Sequence, residues 1–208
     1  KRSNGAAGDV PLAGFPHHAI DTYLPKLVRA GYRVAVCEQV ENPKFAKGIV
    51  KREVIEVVTP GVAFSEKLLD HKKNNYLMSL VIKDEEAGIS FCDISTGEFL
   101  TYQISAQHIK EQIELISPSE ILLQKKDREL VTSLVQKINS SIRITKLDDW
   151  IFNLDYAKEL LLMQFKTVTL KGFGIDQLQN GIIAAGAVLN YLNETQKINL
   201  SHINKIGL

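Results

Sequence analysis

Apolar residues recur along this chain with two different periods, and the switches between them mark out its elements. Ile20, Tyr23, Leu24, Leu27 and Val28 fall at i, i+3, i+4, i+7 and i+8, the spacing that gathers side chains on one helix face. Gly31 follows as a C-terminal cap, since glycine enters the left-handed conformation without steric cost. Pro25 lies inside this run, so the helix either starts late, near Asp21, or is kinked there. The β-rich residues 32–40 and 51–58 predict two strands, giving a small α/β unit that is missing its beginning.

Thr59-Pro60-Gly61 breaks the pattern, and the polar run from Ser65 to Asn75 has no useful apolar period. Residues 62–75 are therefore expected to be a linker. Three short β-prone runs follow, at 76–82, 89–95 and 99–104, separated by turns at 84–88 and at Thr96-Gly97, and they predict an antiparallel meander. Ile109, Ile113 and Ile116 mark a helix face, 121–123 a buried strand, and Leu130, Val131, Leu134, Val135 and Ile138 another helix face. A strand at 142–147 and apolar helices around 156–165 and 181–192 complete the pattern, with Leu160 expected in the core and 171–174 as a turn between helices. The fold class is α/β: a partial small mixed α/β domain over 1–61, then, over 76–195, a mixed sheet flanked by helices that resembles a ribonuclease-H-like sandwich. The last residues, from Gln196, read as the start of a further element.

Composition adds little to this picture. The 208 residues, 45% of them hydrophobic, suit two modest domains. No apolar run approaches the roughly 18 residues of a membrane span, and no signal-peptide pattern opens the chain, so a soluble cytoplasmic protein is expected. Cys37 and Cys92 have no second Cys or His at ligand spacing, which points to reduced, packed thiols rather than a disulfide or zinc site. Charge is more informative. Residues 1–60 hold nine Lys+Arg against six Asp+Glu, and residues 61–208 hold sixteen against eighteen. Any phosphate contact therefore belongs to the first part.

Catalytic readings fail for want of parts. Nucleotide hydrolysis needs a glycine-rich loop ending in Lys-Ser/Thr, and Lys171-Gly172-Phe173-Gly174 lacks that ending. Metal-dependent phosphodiester cleavage on such a sheet needs converging carboxylates, and Asp93 is the single acid well placed for it. Asp84, Glu85 and Glu86 share a turn, and Asp93 is expected to accept hydrogen bonds near Thr96-Gly97 instead. His17 and His18 are adjacent and point opposite ways on an extended segment. No catalytic residue, metal ligand or cofactor is assigned, and a divalent-metal nuclease stands as the alternative.

The most specific signal is a set of phrases in fixed order. Pro11-Leu12-Ala13-Gly14-Phe15-Pro16-His17-His18-Ala19, Tyr23 to Val28, Val34 to Gln39, Lys47-Gly48 with Arg52, and Val58-Thr59-Pro60-Gly61 resemble the mismatch-recognition domain of MutS proteins. The resemblance continues through Asp93 to Phe99, Gln164-Phe165, Gly172-Phe173-Gly174, Ala184-Ala185-Gly186 and Asn193-Glu194-Thr195-Gln196, which are similar to the connector domain of that family. It covers essentially the whole chain.

The resemblance implies a protein that clamps mispaired double-stranded DNA as a dimer, kinks it, and signals to a MutL partner through an ATP-driven change of shape, with ATP and magnesium bound by the parent. It places the Phe-x-Glu motif that reads the mispair before Lys1, and the ATPase beyond Leu208, with 196–208 starting the core and lever region. DNA contacts are expected from Arg2, Lys47 and Arg52 to phosphate, and from Pro11 and Leu12 at a widened minor groove. The family's partner-docking helix matches 155–165, which assigns MutL contact to Lys158 and Glu159.

Overall fold

The computed structural model describes residues 14–45, 48–62, 74–196 and 200–208, together with the backbone of two short strands near the start. These are β1 (Arg2–Ser3) and β2 (Asp9–Val10), which pair antiparallel. The first unit then has helix α1 (Ile20–Arg29) and the antiparallel pair β3 (Val34–Gln39) and β4 (Arg52–Val58). A 3-10 turn at His17–Ala19 leads into the helix, which opens at Ile20 and keeps Pro25 inside it. Gly31 caps it at φ 85°, with Tyr32 N–H donating to Leu27 O at 3.1 Å, the six-to-one bond of a left-handed cap.

The second unit is a five-stranded mixed sheet. Strands β5 (Tyr76–Lys83), β6 (Glu86–Asp93) and β7 (Glu98–Ser105) form the antiparallel meander, and β8 (Glu120–Gln124) and β9 (Arg143–Leu147) add parallel to β5. The spatial order is β7-β6-β5-β8-β9. Each parallel strand is reached through a crossover helix, α2 (Ile109–Ile116) and then α3 (Arg128–Ile138), as parallel pairing requires. Helices α4 (Leu154–Phe165) and α5 (Gln179–Thr195) follow. Asn153 caps α4, its side-chain oxygen accepting from the N–H groups of Asp155 and Tyr156.

Period-two alternation decides which face each strand residue fills. Met78, Leu80, Ile121 and Leu123 pack with Ile113, Val131 and Val135 of α2 and α3, while Leu77 and Leu122 pack with Leu161, Val188 and Tyr191 of α4 and α5. The sheet thus lies between two helical layers, the expected mixed sheet flanked by helices. Small residues set the spacing: a Cβ on Gly186 would come 2.4 Å from the Ala157 Cβ, so α4 and α5 meet at van der Waals contact only because 186 is glycine.

Three expectations are corrected. The turn after β5 is Asp84-Glu85 alone, and Glu86 to Gly88 belong to β6. Gly88 reads as a turn residue in sequence, yet it serves close packing, since a Cβ there would lie 2.1 Å from the backbone carbon of Asn180 on α5. Leu160 is half-buried, and the fully buried positions on α4 are Ala157 and Leu161. Cys92 is buried as expected, but Cys37 is exposed, because β3 belongs to a two-stranded ribbon with little to cover it. Residues 200–208 return to the sheet, where Gly207 N–H donates to Phe99 O and Thr101 N–H to Gly207 O, both at 2.9 Å. Among the described residues no helix is long and apolar enough to cross a membrane.

Candidate nucleic-acid interface

The first unit has a thin core. Among the described residues its hydrophobic cluster consists of buried Val28 and Val58, with Leu24, Val34 and Val36 partly buried against them. The face between α1 and the ribbon is an open groove of about 460 Å³ lined by Phe15, His17, Leu24, Leu27 and Val36, and Arg52 stands on its rim. Phe15 stacks on Tyr23 with ring centroids 4.6 Å apart.

Of the residues assigned to DNA, Arg52 is the one whose side chain is described. It is exposed at the first residue of β4, paired in register with Gln39 at the free end of the ribbon. Lys51, beside it, is engaged with Glu53 at 2.6 Å. Arg2 lies on β1 opposite Val10 by its backbone. Pro11, Leu12, Lys47 and the Arg2 side chain fall outside the described residues. On α4, Glu159 is exposed and Lys158 half-buried, and Met163 on the same helix is 68% exposed.

The candidate metal carboxylate is already occupied. Asp93 is buried, its Oδ1 accepting from Ser95 N and Oγ at 2.8 and 2.6 Å and its Oδ2 from Asn75 N at 3.0 Å. A carboxylate satisfied by three donors that tie down the following turn is built for folding, as the sequence reading favoured. Among the described residues no three His, Cys, Asp or Glu side chains come together as a metal site.

Sequence reasoning passed over one buried polar cluster. Glu120, the first residue of β8, is completely buried and accepts from Thr59, Gly61, Thr145 and Tyr191. Burial, and then the Glu120 charge, push the Tyr191 phenol well above its ordinary range, so it stays a donor. A charged residue opening an otherwise apolar strand was the available signal.

Comparison with known proteins assigns both units. The profile of MutS domain I matches residues 1–67, and that of MutS domain II matches residues 75–204. The chain belongs to the MutS family. Among its relatives, the DNA mismatch repair protein MutS of Cytophaga hutchinsonii is 49% identical over 207 residues, covering 100% of this chain and 24% of the relative. The MutS proteins of Chlorobaculum parvum and Christiangramia forsetii are 47% and 50% identical, over 100% and 99% of this chain and 24% and 23% of their own lengths. The chain thus spans about a quarter of the MutS relatives it matches. Within this MutS framework, Arg52 and the groove belong to domain I, and Asp93, Glu120 and α4 to domain II.

Proposed function

We propose that this chain supplies the DNA-backbone contacts and the connecting module of a protein that binds mispaired DNA and signals to MutL. The observation that carries the reading is the match, in order and over the whole chain, to MutS domains I and II in proteins named for DNA mismatch repair. The physical chemistry is compatible with it: the positive balance lies in the first unit, and Arg52 is exposed at the free end of its ribbon. Arg2, Lys47 and Arg52 contact phosphate, and Leu12 beside Pro11 presses apolar surface against a widened minor groove.

In this reading the second unit carries the MutL-facing helix, α4, with Lys158 and Glu159 on its accessible side. ATP, magnesium and dimerisation belong to the parent protein, which works in the cytoplasm. In this reading the chain itself turns nothing over, since no glycine-rich loop ending in Lys-Ser/Thr is present in the sequence and Asp93 is committed to its turn. The occupied Asp93 carboxylate speaks against the nuclease alternative. Equilibrium binding to matched and mispaired duplexes tests the proposal, which requires weak, salt-sensitive association without mispair preference.

A further inference from the structure

Burying a carboxylate is costly unless its oxygens are fully bonded, so a buried acid that survives in a core marks a structural demand. Glu120 meets this condition with both oxygens. Its Oε2 accepts from Thr59 Oγ1 at 2.6 Å and Gly61 N at 3.0 Å, and its Oε1 from Thr145 Oγ1 at 2.6 Å and Tyr191 Oη at 2.8 Å. Arg143 Nε, 3.8 Å from Oε1, is the neighbouring positive charge. The division is informative: the Oε2 donors lie where the chain leaves the first unit, and the Oε1 donors lie on β9 and α5 of the connector.

Gly61 is required for this arrangement. A Cβ there would come 2.7 Å from the Glu120 Cβ and 2.9 Å from Leu77 Cδ1, so a larger residue would lift the backbone N–H off the carboxylate. Two more contacts lie along the same seam. The Arg33 guanidinium sits over the Tyr191 ring, 5.6 Å from its centroid, and Glu56 of β4 bridges antiparallel to Gln196 just after α5. Val62 is fully buried in the connector core.

We infer that Glu120 is a positioning residue: through Thr59 and Gly61 it fixes the orientation of the first unit, residues 14–62, against the connector. In a protein that reads DNA with one unit and communicates through the other, this carboxylate sets the angle between them. The inference rests on packing and holds or fails independently of DNA binding.

The two sides of the carboxylate provide the test. Thr59→Val removes a donor from the first unit, and Thr145→Val removes an equivalent donor from inside the connector. Exposed Cys37 and an added Lys137→Cys on α3 take spin labels, while buried Cys92 does not. Pulsed electron-spin distance measurements on the full chain should give a narrow distribution for the parent. Thr59→Val should widen it by about twofold or more, freeing units that otherwise move independently by default. Thr145→Val should leave the width unchanged, and Thr59→Ser, which restores the hydroxyl, should restore it. If Thr59→Val does not fold by circular dichroism, Gly61→Ala provides the same reading and should also widen the distribution. A parent-like width in Thr59→Val or its replacement, or equal widening by Thr145→Val, would overturn the inference.

Discussion

Ser95 holds Asp93 twice, its backbone N–H and its hydroxyl both donating to Oδ1, while Asn75 N–H takes Oδ2 from the start of β5. The carboxylate therefore ties the entry of one strand to the exit of its neighbour. Asp93→Asn can keep the Oδ1 bonds but turns an amide donor toward the Asn75 N–H. The expected loss is about 1–3 kcal/mol in urea unfolding. Neither form should cut DNA with magnesium or manganese; cleavage abolished by the substitution would restore the nuclease reading.

The two thiols should behave oppositely. Burial, then the charges of Asp93 and Glu98, push the Cys92 thiol up to about 12, whereas Cys37 is exposed. At mildly alkaline pH a disulfide reagent should titrate one thiol in the folded chain and the second only in denaturant. The raised folded-state value also fixes a sign. Stability from the protonated Cys92 is fully present below the unfolded thiol's range, near about 8.5, and is lost as pH rises toward the folded value. Between these limits the urea midpoint should fall more steeply for the parent than for Cys92→Ala, and parallel slopes would refute the assignment.

On α4, Glu159→Lys alters an exposed residue and should change stability by no more than about 0.5 kcal/mol. Combined with Lys158→Glu it should weaken MutL binding to the full-length parent by roughly tenfold, about 1.4 kcal/mol. Unaltered affinity with an intact circular dichroism spectrum would remove this face from the interface.

How legible these features were depended on whether a residue's cause was local. Helix faces such as Ile109, Ile113 and Ile116, and the Gly31 cap, are written in local spacing and were read correctly. Gly88 was misread because its requirement comes from Asn180, on a helix far along the chain. Leu160 and Leu161 were confused because an apolar run on α4 does not show which residue faces the sheet. Glu120 was passed over because its four donors come from three separate stretches of sequence, a convergence that only the fold creates. The residues assigned to DNA rest on the family resemblance alone, since a balance of nine cations to six acids singles out no position.

The central claim is most directly tested by fluorescence anisotropy of the chain on G·T and G·C duplexes across a salt series. Phosphate contacts position a protein, and base contacts specify. With three cations engaged, the log-log salt slope should be about −3 or shallower, with equal affinities for the two duplexes. Arg52→Ala should weaken both equally and make the slope shallower by about one unit. A preference of roughly tenfold or more for the G·T duplex, about 1.4 kcal/mol, would show that this chain reads the mispair itself and would contradict the account.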